Sequence, residues 1–373
     1  MGNGDRTDHN RADHNPADHN RADHNRADDD KAGITPGPGQ RTRTRRKGKG
    51  GREQLVVPPA EFRSYYGKPI VKAPPWEYDI AAYLFLGGLA GGSSLLAAGA
   101  DLAGLPSQRR SARFVALGGI TGSLYYLVRD LGRPERFHHM LRVLKLTSPM
   151  SVGTWLLSAY GPFVGLALGQ EVVPVLPAKI ARRLPTDLIT RASRPAGIVA
   201  ALVAPAVASY TAVLLTDTSL PSWSAARREL PFVFVGSAAA ASGGVGLLLN
   251  PLHETSPARR LAVGGATLEL AADRIMQQSM GITAEPLHEG RAGAYHRAAQ
   301  ILTTAGAVGA VLGRRNRALS AVAGLSLAAG SACTRWAVFH AGMASTRDPK
   351  YVVIPQRERR DARGGGEAYA GER

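Results

Sequence analysis

Apolar segments of membrane-spanning length recur along the chain, separated by short polar connections. The most uniform covers residues 80–100, IAAYLFLGGLAGGSSLLAAGA, and carries no charge. A helix needs about 20 apolar residues to cross a hydrocarbon core of about 30 Å. Trp76 and Tyr78 stand just before this segment, where an aromatic belt anchors a span. Gly87, Gly88, Gly91 and Gly92 recur at four-residue spacing, which leaves one helix face almost bare of side chains. In lipid such a face lets neighbouring backbones approach closely, because packing drives helix association there. The segment therefore reads as the packing hub of a membrane bundle.

Seven further segments follow, at about 112–128, 151–169, 197–216, 232–249, 261–282, 298–313 and 319–343. Glu269, Asp273 and Arg274 interrupt the sixth, and the seventh is short. The pattern predicts an all-α integral membrane protein, with eight transmembrane helices inside residues 61–345. Residues 346–373 read as a polar tail. Residues 1–60 hold a DHNRA/DHNPA repeat, with His9, His14, His19 and His24 five apart, and the basic run RTRTRRKGKGGR. Evenly spaced histidines can chelate a metal, but this composition cannot bury a core, so a disordered tail without a metal site is expected.

Composition sharpens the picture. The 373-residue chain has a formal net charge of +17. Its mean hydropathy of −0.12 averages a polar N-terminal part with an apolar remainder. Most of the surplus Arg and Lys sits in short loops, which is a membrane-topology pattern and argues against nucleic acid as partner. The loops after the first, third, fifth and seventh segments are the more basic set. That bias places them in the cytoplasm and both termini outside, whereas the basic run at 41–52 argues the opposite. Residues 1–49 lack the apolar core of a cleavable signal peptide. Cys333 is the single cysteine, so a disulfide framework, a zinc site and a cysteine-held iron-sulfur cluster are excluded. Only His340 lies clearly inside a segment, while a transmembrane haem needs paired axial histidines. The chain is expected to hold no haem and no cluster, and to take its electrons from a partner.

An eight-helix topology sorts the remaining polar groups by side and depth. One face gathers Asp79, Tyr83, the connection DLGRPERFHH, Tyr210 and Asp217. Tyr210 lies seven residues before Asp217 and Tyr83 seven after Trp76, about 10 Å of helical rise in each case. The two phenols therefore share a depth, and Asp79 and Tyr83 share a face. A carboxylate and two phenols below an aromatic rim suit a quinone head group; interfacial tyrosines without a ligand are the alternative. Asp130, Arg133, Arg136 and His138 give the short connection more polar anchoring groups than joining helices requires, which suggests partner docking. Glu269 and Asp273 share a face at i,i+4. They either form a proton path or pair with Arg274 or Arg335 as structural glue.

Four blocks carry a resemblance: Trp76-Glu77-Tyr78-Asp79 leading into LFLGGLAGGSSLLA, then DLGRPERFHHMLRV, KLTSPMSVGTWLLSAYGP and SYTAVLLTDTSLPSW. Over about 60–350 the chain resembles the NrfD / polysulphide reductase membrane-subunit family. The resemblance implies an eight-helix subunit of the cell membrane with no catalytic residues of its own. It would exchange electrons between a quinone, menaquinone or ubiquinone bound as substrate, and a ferredoxin-like iron-sulfur subunit. A molybdopterin oxidoreductase catalytic subunit is the implied further partner. The family's quinone-site positions fall on Asp79 and Tyr83, where well-known polysulphide reductases have Asn and His, and on Tyr210. A membrane anchor or a proton-conducting subunit without quinone chemistry is the alternative.

Overall fold

Each apolar segment becomes a helix, and most run longer than hydropathy alone indicates. The computed structural model describes residues 69–76, 78–131 and 134–362, all within the compact unit Glu61–Arg373. The expected disordered tail over 1–60 with its histidine repeat, Arg133, and residues 363–373 lie outside the described residues. The long helices are α1 (Tyr78–Leu102), α2 (Pro106–Arg129), α3 (Pro149–Val172), α4 (Thr186–Thr216), α5 (Leu230–Leu249), α6 (Ser256–Met280), α7 (Gly290–Leu312) and α8 (Arg317–Ser345). No strand occurs among the described residues. Of these helices, α1, α3, α4, α5 and α8 are long and apolar enough to cross a membrane.

Local chemistry explains the longer ends. Pro106 and Pro149 open α2 and α3 at positions whose backbone N–H has no helical partner in any case. The Asn316 side chain accepts from the Leu319 N–H at 3.1 Å and caps α8. Helix α4 starts eleven residues before the apolar window because its polar first turns have partners. Arg194 meets Asp101 at 3.0 Å, and Asp101 in turn holds Arg109 at 3.2 Å. Glu171 takes Arg109 at 2.7 Å and Arg113 at 3.1 Å on the same end of the bundle.

Helices α1–α4 pack as one group and α5–α8 as another, with α1 touching α2, α4, α5 and α8. Its glycines make this possible. A Cβ at Gly91 would lie 2.9 Å from the Ala204 carbonyl of α4. One at Gly92 would lie 2.7 Å from the Ala238 carbonyl of α5 and collide with Ser242. Small polar side chains then bond across the gaps: Ser242 Oγ donates to Leu89 O, Ser123 Oγ to Tyr83 O, and Tyr160 OH to Ala90 O.

The polar tail after residue 345 differs from expectation by forming α9 (Lys350–Ala362). Tyr351 is buried, and its hydroxyl donates to Glu285 Oε2 at 3.2 Å, which Lys350 also meets at 2.6 Å. Burial pushes the Tyr351 phenol up to about 12.

Candidate functional site

Tyr83 and Tyr210 line one pocket at the end of the molecule where α1 begins and α2 and α4 finish. Tyr83 comes from the second turn of α1, and Tyr210 lies two turns before the end of α4. Gly153 of α3 gives the Tyr210 ring its place, since a Cβ there would sit 3.0 Å from the ring Cδ1. The cavity encloses about 80 Å³. Its walls are otherwise mostly apolar, with Ile80, Leu127, Leu157 and Leu214 among them. The Tyr210 hydroxyl is buried, with the Gly153 N–H directed at its oxygen, but its own proton has no acceptor among the described residues. A buried O–H without an acceptor is costly, and a carbonyl brought into the pocket would satisfy it.

The connection between α2 and α3 forms part of this pocket. Asp130, Leu131 and Met140 line it, and the 3₁₀ helix Pro134–Leu141 carries Arg136, Phe137, His138 and His139 on the exposed side. The His138 and His139 rings lie 4.4 Å apart. Trp76, also lining the pocket, stacks on Trp223 with ring centroids 5.8 Å apart. Trp223 is itself fixed by its Nε1–H to the Val338 carbonyl at 2.7 Å. Asp79 is close in sequence but does not line the pocket. Its Oδ2 pairs with Arg129 Nε at 3.2 Å, and its Oδ1 is buried without a hydrogen-bond partner among the described residues.

A second polar cluster occupies the interior of the α5–α8 group. The Glu269 carboxylate accepts from Thr334 Oγ1 at 2.6 Å and Thr303 Oγ1 at 3.5 Å. One turn on, Asp273 meets His296 Nε2 at 3.1 Å, Gln277 Nε2 at 2.6 Å and Gln300 Nε2 at 3.1 Å. Both acids line a cavity of about 10 Å³, room for roughly one water.

The ion pairs weighed for these acids are not formed. Arg274 lies on the exposed face of α6 because its position points away from the bundle. Arg335 is fully buried but gives Nη2 to the Phe234 carbonyl at 2.9 Å, with its guanidinium 3.8 Å from the Phe234 ring centroid. Its Nε and Nη1 have no hydrogen-bond partner among the described residues.

Sequence reasoning missed His296 and Arg129. The seventh apolar window began at residue 298, whereas α7 starts at Gly290 and buries His296. A signal for it was present: Ala292, His296, Ala299, Thr303, Gly306 and Ala310 fall on one helical face at three- and four-residue steps, and all are buried. Among the described residues no group of three His, Cys, Asp or Glu side chains gathers as a metal site would.

No curated protein matches the chain. A family model described as polysulphide reductase, NrfD, matches residues 70–260, which include Tyr83, the α2–α3 connection and Tyr210. That match covers just over half of the chain, and with it several helices long and apolar enough to span a bilayer. The protein is thus a membrane protein and belongs to the NrfD polysulphide reductase family, membrane subunits of redox complexes.

Proposed function

We propose that this chain binds quinone or quinol in the Tyr83–Tyr210 pocket and exchanges electrons with an iron-sulfur partner subunit docked over it. The observation that carries the reading is the double role of the α2–α3 connection. Asp130 and Met140 line the pocket while Arg136 and His138 stand exposed only a few residues away. A partner seated on the exposed side brings its cluster beside the pocket, so electrons leave without a redox centre in this chain.

Quinol oxidation releases two electrons and two protons, so the site needs a hydrogen-bond donor and a proton acceptor. The Tyr210 hydroxyl is placed to donate to a quinone oxygen. Asp79, one turn from Tyr83 and held by Arg129, is the acceptor nearest along α1. In this reading the substrate is menaquinone or ubiquinone, the complex sits in the cell membrane, and a molybdopterin oxidoreductase subunit completes it. All eight long helices cross the bilayer, with α2, α6 and α7 carrying their charges near their ends or into the bundle.

The buried Glu269 and Asp273–His296 cluster favours one addition, a proton path through α5–α8. Its acids are buried and reach Gln300, Thr303 and Thr334 by hydrogen bonds of 3.1, 3.5 and 2.6 Å.

Photolabelling tests the pocket. An azido-quinone should mark the peptides that contain Tyr83 and Tyr210, and excess unlabelled quinone should prevent it. Competed labelling confined to other helices would place the quinone elsewhere. Charge reversal by Arg136→Glu should release the iron-sulfur partner while the membrane subunit still inserts; unchanged co-purification would overturn the docking assignment.

A further inference from the structure

At the end of the molecule opposite the tyrosine pocket, three arginines surround an open groove of about 600 Å³. Arg259 and Arg260 come from the first two turns of α6, and Arg314 from the turn that follows α7. Among the described residues, no Asp or Glu lines the groove. Arg259 braces its base, giving Nη1 to the Ala310 carbonyl and Nη2 to Thr255 Oγ1 at 3.1 Å. Arg260 and Arg314 are exposed, and among the described residues neither has an acidic partner. The carboxylate nearest in sequence, Glu254, is turned away and bound by Ser107 and the Gln108 N–H.

The floor of the groove is apolar, formed in part by Val263 and Val311. It opens onto one face of α7 where Ile301, Val308 and Leu312 are exposed at seven- and four-residue steps. Cationic forks at the helix ends above an exposed apolar lane reproduce the polarity of a phospholipid. Guanidinium groups bind phosphate oxygens bidentately, and basic recesses between membrane helices take anionic head groups. We propose that this groove binds the phosphate head group of an anionic phospholipid whose acyl chains lie along α7. The proposal rests on α7 crossing the bilayer, as proposed above, and is independent of quinone binding.

The test uses the full chain, purified with its partners in mild detergent and stripped of lipid. Added dioleoyl-phosphatidylglycerol should raise the thermal midpoint saturably, whereas dioleoyl-phosphatidylcholine or inorganic phosphate at equal concentration should not. The double variant R260Q/R314Q should raise the half-saturating concentration by roughly tenfold or more. R142Q, which removes an exposed charge at the opposite end, should leave it unchanged. Native mass spectrometry of the wild-type complex, which needs no variant, should show retained phosphatidylglycerol. The proposal is overturned by equal shifts with phosphatidylcholine, by an equal shift with inorganic phosphate, or by an R260Q/R314Q response equal to wild type or to R142Q. Retention of zwitterionic lipid alone would also overturn it. Quinol-driven turnover, measured in the same samples, reports separately on the tyrosine pocket.

Discussion

Arg129 of α2 reaches back to the first turn of α1 and places its Nε 3.2 Å from Asp79 Oδ2. Its Nη2 also donates to the Tyr78 hydroxyl at 3.3 Å. The contact fixes the start of α1, one turn from Tyr83, against the end of α2. Arg129→Gln should therefore lower the unfolding temperature more in the wild-type background than in an Asp79→Asn background. Equal losses in both would show that the pair contributes nothing.

Close packing on α1 gives a second test. Gly92→Val drives a side chain into the Ala238 carbonyl and Ser242, and overpacking of this kind costs about 1–3 kcal/mol. Gly99, on the same helix, has nothing within 4 Å of a would-be Cβ, so Gly99→Ala should not lower stability. Thermal unfolding of both variants in one detergent decides it; equal losses at the two positions would contradict the packing account, because both substitutions improve helix propensity.

How much of this was legible before the structure depends on which physical signal each feature leaves. The helices left a strong one, because an apolar run of spanning length has few other uses. Their ends left a weak one. The first turns of α4 hold Arg191 and Arg194, which a hydropathy window reads as loop, yet Asp101 of α1 supplies a partner for Arg194. The shared depth of Tyr83 and Tyr210 followed from counting residues to the interface, and the structure brings both to one pocket. The Asp79–Arg129 pair left no local trace, since it joins residues that are neighbours only after α1 and α2 fold back on each other. Arg335 was a candidate partner for Glu269 by membrane depth, but the direction of its side chain depends on Phe234 packing that periodicity does not encode.

The Asp273–His296 contact separates a relay from a structural bond. Asp273→Asn keeps a polar group among Gln277, Gln300 and His296 but cannot exchange a proton. It should slow proton-coupled turnover with little change in unfolding temperature. His296→Leu leaves a buried carboxylate short of a donor and should cost about 1–3 kcal/mol. Proton uptake by vesicles together with thermal unfolding separates the two. Wild-type behaviour of Asp273→Asn in proton uptake would remove Asp273 from the path.

Glu254 links the α5–α6 connection to the start of α2. Burial by itself raises its carboxyl, but the Gln108 N–H at 3.0 Å and the Ser107 hydroxyl at 2.9 Å favour the ionised form, and the net shift is downward from 4.5. A carboxyl lowered by folding stabilises the protein above its unfolded value, and that stability is lost as pH falls through the folded value. The stability gap between wild type and Glu254→Gln should thus be full at neutral pH and close below pH 4.5. A gap that is constant across this range would assign the contact to packing rather than charge.

The central claim, that Tyr210 donates to quinone in a pocket shared with Tyr83, is tested most directly by quinol titration. Reduction of the partner's iron-sulfur clusters is followed in membranes against quinol concentration. Tyr210→Phe removes one hydroxyl and keeps the ring against Gly153, so it tests the bond and not the fold. The half-saturating quinol concentration should rise by up to about tenfold, the worth of one hydrogen bond of about 0.5–1.5 kcal/mol. Asp79→Asn should lower the maximal rate more than the affinity, because the amide keeps a polar contact and cannot take a proton. If both variants trace the wild-type curve at every quinol concentration, the quinone does not bind in this pocket.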